Sequence, residues 1–320
     1  MAGTARLVAV DDDTSGEALH AVPCSLVVGN FDGMHKGHQA VLREAVANAR
    51  SSGLAACVLT FDPHPGAVVG RGAPPLLTTL ARRAELAGEL GVERVYVRRF
   101  DASFAAWPPD RFARDLVSAT LKAKVVVVGE NFRFGAKRAG DLAMLRTQGA
   151  LLGFEAREHS VAADEQGAFS STRARDAIAA GRVDEARRVL GRPHSVSGVV
   201  VHGDGRGRTI GVPTANLEEV PELLPGNGVY AVEVDALDAL TGESRPLGGG
   251  VTNVGTRPTV GGTARRVETH VFAFAGDLYG SRMRVHLVAR IRDEKKFAGI
   301  DELKAQIARD MDEGRRLLAP

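Results

Sequence analysis

No stretch of this 320-residue chain is apolar for long enough to cross a bilayer. Its purest aliphatic run, residues 125–128, is a fraction of the about 20 residues that a spanning helix needs. Cysteine is nearly absent: only Cys24 and Cys57 occur, each inside an apolar stretch, with no metal-ligand spacing and no disulfide framework. Two buried, inert thiols in a reducing cytoplasm are the expectation. An excess of either charge is also missing. The chain has 41 Lys and Arg against 39 acidic residues, a formal charge of +2, which is no electrostatic footprint for a polyanion. Nucleic acid and membrane are therefore not expected partners, while a small anionic substrate needs only local charge. A basic segment followed by an apolar one is absent near the start, where Asp11, Asp12 and Asp13 stand instead, so no signal peptide is expected.

What is present points to a folded, two-domain protein. At 44% apolar and 25% charged, the composition excludes disordered and fibrous classes. The length exceeds one ordinary compact core. From residue 25 to about 190, short apolar runs alternate with longer helix-like segments. Strands are predicted at 25–29, 54–61, 94–98, 125–129 and 154–157, and helices at 39–49, 79–90, 110–121, 141–148 and 171–190. That alternation predicts a doubly wound, parallel α/β sheet, Rossmann-like in its layering. Gly191-Arg192-Pro193 then breaks the pattern. Beyond it, Val-, Thr- and Tyr-rich runs at 196–201, 228–234, 250–254, 267–274 and 283–291 are separated by Gly and Pro clusters. These fit an antiparallel barrel or sandwich, closed by an amphipathic helix at 300–318. Two domains, 1–190 and 191–320, are the expected division, with room for a homo-oligomer.

In a parallel sheet, ligands bind beyond the carboxyl ends of the strands. The first predicted strand runs into Gly29-Asn30-Phe31-Asp32-Gly33-Met34-His35-Lys36-Gly37-His38. His35 and His38, three apart at a helix start, can share a face, and Gly37 lets a phosphate approach the backbone. The free N–H groups of the helix start add positive potential. Two donors there suit the charge developing on an α-phosphate under attack. Two further strand ends carry Thr60-Phe61-Asp62-Pro63-His64-Pro65 and Val128-Gly129-Glu130-Asn131-Phe132-Arg133-Phe134-Gly135. Ser170-Ser171-Thr172-Arg173-Ala174-Arg175 reads as a helix start with a Ser or Thr cap, where one arginine, Arg173 or Arg175, can reach phosphate. A plain capped surface helix has the same pattern.

The second domain lacks a P-loop and the protein-kinase signatures. It carries Gly203-Asp204-Gly205-Arg206-Gly207-Arg208-Thr209-Ile210-Gly211, a flap whose N–H groups, from Gly203 to Gly211, could wrap phosphates. A glycine-rich hairpin is the bland equivalent. Val212-Pro213-Thr214-Ala215-Asn216 follows. In an extended chain Thr214 and Asn216 point the same way, and a hydroxyl with an amide oxygen suits Mg²⁺ carried by ATP. Arg266-Val267-Glu268-Thr269-His270 sets Glu268 among apolar neighbours, as a base toward a hydroxyl or as an exposed strand carboxylate.

Together these motifs carry a resemblance over about residues 25–310. Gly29 to His38 resembles the H-x-G-H loop of the α/β nucleotidyltransferases, and Phe169 to Arg175 resembles their I-S-S-T-x-x-R segment, with Phe169 for Ile. With T-F-D-P-H-P and V-G-E-N-F-R-F-G, the first domain is similar to the FMN adenylyltransferase domain of bacterial bifunctional riboflavin kinase/FAD synthetases. Asn131 stands where some members carry Asp. P-T-A-N, Gly228-Val229-Tyr230-Ala231, Asn253-Val254-Gly255-Thr256-Arg257-Pro258 and V-E-T-H resemble the riboflavin kinase domain, a six-stranded barrel with a terminal helix. Val212 replaces an aromatic common there. The resemblance implies His35 and His38 as stabilisers of adenylyl transfer, and Gly29, Gly37, Ser171, Thr172 and Arg175 around the ATP phosphates. It implies Asp62, His64, Asn131 and Phe132 on the flavin side of that domain. In the barrel it implies Thr214 and Asn216 as Mg–ATP ligands, Asn253 and Arg257 on the flavin, and Glu268 as base on the ribityl 5′-hydroxyl. Riboflavin, FMN, FAD and ATP are then the expected small-molecule partners.

Overall fold

The computed structural model describes residues 3–159, 162–203, 211–259 and 262–319. By packing, the chain divides into Met1–Pro74 with Thr78–Ser170, and Pro75–Leu77 with Ser171–Pro320.

The sheet of the first unit comprises β1 (Arg6–Val10), β2 (Cys24–Val28), β3 (Ala55–Asp62), β4 (Arg94–Arg99), β5 (Ala123–Gly129) and β6 (Glu155–His159). Every pairing is parallel, in the order β1-β4-β3-β2-β5-β6. The near-continuous apolar runs are explained by two covered faces. Leu26, Val28, Cys57, Leu59, Val126 and Val128 enter one core with Phe104, Trp107, Leu116 and Leu145. Their neighbours Val27, Ala56, Val58 and Val127 enter the other, against the helices Lys36–Ser51 and Leu80–Glu89. A period of two thus divides each strand between two cores. Both cysteines are buried and unbridged, and the neighbouring Cys57, together with burial, pushes the Cys24 thiol up. The sequence reading did not include β1. It is a five-residue edge strand with Leu7 exposed, too short and too open for periodicity to mark. The 110–121 segment is helical, but over Phe112–Thr120 its turns are wider than α. A short hairpin, β7 (Ala163–Asp164) and β8 (Gly167–Ala168), completes the unit.

In the second unit, β9 (His194–Val201), β10 (Ala215–Glu218), β11 (Gly228–Leu237), β12 (Ser244–Thr259), β13 (Gly262–Val271) and β14 (Arg282–Arg292) close a barrel. Its order is β10-β13-β12-β11-β14-β9, antiparallel throughout. The choice between sandwich and barrel falls to the barrel, which leaves no free sheet edge. Val196, Val200, Leu217, Val232, Val254 and Val267 fill it. The helix Ile300–Leu318 is tied on by Arg292, whose Nε and Nη2 donate to the two Asp310 carboxylate oxygens at 2.9 and 2.7 Å. The helix predicted over 171–190 is two helices, Ser171–Ala179 and Val183–Leu190. Gly181 (φ 72°) turns the chain between them, and a Cβ there would lie 2.9 Å from the Tyr230 hydroxyl. Both helices belong by packing to the barrel unit, with Val183 in its core. The change of body therefore falls at Ser171, not at the breaker cluster that follows Leu190. Among the described residues no helix is long and apolar enough to cross a membrane.

Close seating of the Leu80–Glu89 helix makes a prediction with an inverted sign. Alanine inside a helix usually stabilises relative to glycine by about 0.5–1 kcal/mol. At Gly88, however, a Cβ would lie 2.1 Å from the Gly3 carbonyl oxygen and 2.5 Å from the Ala5 nitrogen. Gly88→Ala is expected to cost about 1–3 kcal/mol, as overpacking does, read as a lower urea midpoint for the first unit. A raised midpoint would contradict this packing.

Candidate active sites

The loop after β2 is built around unusual backbone. Phe31, Gly33 and Met34 have φ of 52°, 82° and 42°, so two side-chain-bearing residues sit where glycine is favoured. The turn delivers His35 to the N-cap of the helix Lys36–Ser51, where its Nδ1 accepts the His38 N–H at 3.3 Å. With Nδ1 engaged, a neutral His35 carries its proton on Nε2, as a donor. The two rings stack at 3.6 Å between centroids and 22° between planes. Gly37 is needed for that stack as well as for access, since a Cβ there would lie 3.1 Å from the His35 ring. His35 is buried, and His38 Nδ1 is a buried atom with no hydrogen-bond partner. Burial above all, then His35 and Arg83, hold the His38 imidazole well below its ordinary pKa. The His38 ring, held neutral and stacked on His35 beside a helix N-terminus, is thus a fit to an anion rather than to a cation.

A cavity of about 570 Å³ opens beside the same loop. Phe61, Phe100, Phe104, Trp107, Phe112 and Phe134 supply its aromatic wall, with Asn30, His64, Asn131 and Phe132 at polar and edge positions. The wall is internally supported: Phe104 and Trp107 lie 5.1 Å apart, Phe132 and Phe134 stack at 5.4 Å, and the Arg111 guanidinium sits 3.8 Å from the Trp107 ring. Behind it the buried Arg98 lies 4.5 Å from the Phe104 ring and pairs with Asp12. His64 is fixed by accepting the Gly66 N–H at Nδ1 (3.0 Å), and the Asn30 amide meets its Nε2 at 3.2 Å. Arg71, Arg133, Lys137 and Arg138 give the cavity a basic margin. Gly29 also lines it, whereas Asp62, expected there, is exposed at the end of β3 and does not.

The residues that sequence reasoning missed are most of the aromatic wall and Arg83. Four aromatics within residues 100–112 of a chain that is 5% aromatic were an available signal. Ser171 and Thr172 open the helix Ser171–Ala179 in the second unit, where Arg175 Nε donates to the Pro75 carbonyl at 2.7 Å.

On the barrel, register does the assembling. Glu268 of β13 lies opposite Asn216 of β10 on one side and Asn253 of β12 on the other. Their neighbours Leu217, Val254 and Val267 point into the core, so alternation turns this amide–carboxylate–amide row outward. All three are half-buried. Glycines keep the row's surroundings open: a Cβ at Gly203 would lie 2.3 Å from Asn216 Nδ2, and one at Gly255 would lie 2.4 Å from Glu294 Oε1. Thr214, just before β10, lines a separate cavity of about 470 Å³ with Pro213, Thr269, Asp277 and the His202–Tyr279 pair, whose rings meet at 3.6 Å, tilted by 31°. Gly203 and Gly211 are exposed, and the flap between them, 204–210, lies outside the described residues. So does the Arg257 side chain, whose backbone pairs with Ala264. Among the described residues no cluster of three or more His, Cys, Asp or Glu could hold a metal.

Comparison with known proteins matches both units. A FAD synthetase family model matches residues 18–173, and a riboflavin kinase model matches 190–318. The chain is 43% identical over 288 residues to the bifunctional riboflavin kinase/FMN adenylyltransferase of Escherichia coli (strain K12), covering 90% of each. It is 37% identical over 298 residues to the protein of that name from Pseudomonas fluorescens, covering 93% of this chain and 94% of the relative. A crystal structure described as a macrolide-efflux protein from Streptococcus pneumoniae superposes with a TM-score of 0.82 at 32% identity, covering 98% of this chain and 99% of that one.

The depressed His38 pKa gives a pH dependence with a fixed sign. Below the ordinary imidazole value of about 6.5, the unfolded chain protonates this residue and the native one does not. Native stability is therefore lost as pH falls from about 7 toward 5. His38→Gln is expected to flatten that slope in urea titrations across the range. An unchanged slope would show that His38 is not held neutral.

Proposed function

This chain belongs to the bifunctional riboflavin kinase/FMN adenylyltransferase family, and on that premise we propose which of its residues carry each of its two reactions. The enzyme phosphorylates riboflavin to FMN with ATP in the barrel domain. In the α/β domain it joins AMP from a second ATP to FMN, giving FAD and pyrophosphate.

For the first reaction, Glu268 takes the proton of the terminal ribityl hydroxyl as that oxygen bonds to the γ-phosphorus and the bond to the β-phosphate oxygen breaks, leaving ADP. Asn216 and Asn253, on either side of the carboxylate in the strand register, hold its orientation and that of the hydroxyl. Thr214 and Asn216 are the groups suited to Mg²⁺ on the ATP phosphates, where the ion would neutralise charge on the transferring group. Gly203 and Gly211 are assigned to the same phosphates.

For the second reaction, an FMN phosphate oxygen attacks the α-phosphorus of ATP and the α–β bridging bond breaks. His35 Nε2–H and His38, with the helix N-terminus, stabilise the α-phosphate as its charge builds, and Gly37 admits it to the backbone. The isoalloxazine ring fits the aromatic cavity, against Phe132 with Asn131, Asn30 and His64 at its edge. The basic margin of Arg71, Arg133, Lys137 and Arg138 suits a flavin that carries phosphate over one that does not. Asp62 has no place in that cavity and is assigned no contact with the ring. The observation that carries the reading is that each unit holds a full set of its own: stacked imidazoles beside an aromatic cavity in one, a carboxylate between two amides in the other. A cytoplasmic setting accords with two buried, unbridged thiols.

Separate sites predict separable losses. With riboflavin, ATP and Mg²⁺, the native chain yields both FMN and FAD by chromatography. His38→Ala should reduce FAD formation by about 10²-fold or more while FMN accumulates. Glu268→Ala should suppress FMN formation by about 10²-fold or more yet still convert supplied FMN to FAD. Loss of both products from either folded variant would refute the two-site assignment.

A further inference from the structure

We propose that Asp32 and Arg83 are positioning residues for adenylyl transfer, a buried ion pair that sets the backbone between β2 and the helix Lys36–Ser51 and thereby the place of His35 and His38 beside the flavin cavity. The proposal rests on the reading of that loop as the site of transfer.

Asp32 and Arg83 are 4% and 7% exposed, and Arg83 Nη2 lies 3.3 Å from Asp32 Oδ1. The guanidinium does more than neutralise the carboxylate. Its Nη1 donates to the Asn30 carbonyl at 3.1 Å and its Nε to the Thr78 carbonyl at 3.2 Å. Thr78, itself buried, donates its N–H to Asp32 Oδ1 at 2.9 Å, and its hydroxyl accepts the Gly33 N–H at 2.9 Å. Asn30 O also receives the Thr60 hydroxyl at 3.0 Å. The network thus grips residues 30, 32 and 33, and the left-handed backbone of Phe31, Gly33 and Met34 lies among and just beyond those holds. Such backbone persists only where its surroundings over-determine it.

Stability alone is a poor reason for this pair. A buried ion pair often loses as much in desolvation as it gains in attraction, and a well-packed apolar replacement is frequently no worse. What an apolar replacement cannot do is hold three acceptors at fixed angles, as a planar guanidinium can. Those acceptors sit between two functions. Asn30 lines the flavin cavity through its own side chain, while the next residues set the N-cap histidine. Arg83 therefore holds the Asn30 edge of the flavin cavity and the imidazole donors in one frame, where an error of about 1 Å costs about a hundredfold in rate.

The test uses the full chain with Asp32→Asn, Arg83→Lys and Thr78→Val. FAD formation is measured over a range of FMN and ATP, with riboflavin phosphorylation and thermal melting recorded on the same preparations. The expected result is a fall of about ten- to a hundredfold in kcat for FAD formation, with KM for FMN changed less than about threefold and FMN formation unaltered. Arg83→Lys, which keeps the charge and loses the fork, should not restore the rate. The double variant should lose no more than the larger single loss, because the two side chains act as one unit. A native kcat with a lowered melting temperature would overturn the proposal, as would a rise in KM alone or additive losses. Should Asp32→Asn or Arg83→Lys fail to fold, Thr78→Val, which deletes only a hydroxyl, decides by the same criteria. Failure of the underlying reading shows separately, as a His38→Ala enzyme that still makes FAD.

Discussion

A shared strand direction is the constraint on which the α/β domain depends. Because every pairing in its sheet is parallel, the carboxyl ends of β2, β3 and β5 face one rim. The loops that leave them bring together Asn30, His64 and Phe132, far apart in the chain, around one cavity. Parallel pairing needs a crossover for every strand, and the helices that make those crossovers cover both faces of the central strands. The rim is then the natural place for polar side chains to gather, and each strand end is polar for that reason.

The barrel meets the same need by a different geometry. Its strands alternate in direction, so no single rim collects their ends. Register instead assembles a row across neighbouring strands, setting Glu268 between Asn216 and Asn253. A slip of one residue on β13 would turn the carboxylate into the core and a valine or threonine outward. The inward residues Val267 and Thr269, buried against their neighbours, oppose such a slip. Core packing on one face of the strand thus secures the chemistry on the other.

The two sites also treat charge differently. The histidine pair is stacked and His38 is held neutral, so that ring serves the site without importing a cation that burial would oppose. The barrel carboxylate is only half-buried and stands between amides that can satisfy it.

Much of this was legible in the amino-acid order, because local rules suffice for it. Apolar runs of strand length, helix caps, glycine at tight turns and short polar motifs at strand ends are all written within a few residues of one another. They specify the α/β layering and five of the barrel's six strands, and they single out both histidines and Glu268 as candidates. The edge strand β1 carried too weak a pattern, and the helix break at Gly181 is a matter of what Tyr230 and Arg290 leave room for. Tertiary structure alone decided which distant residues meet. Asp32 and Arg83 are 51 positions apart, and Glu268 and Asn216 face each other only once the barrel has closed. The exclusion of Asp62 from the cavity that His64 lines, and the allegiance of residues 171–190 to the barrel, follow from packing too. Sequence records the local preference of each residue; long-range contacts depend on loop closure and on burial, which no short window of sequence contains.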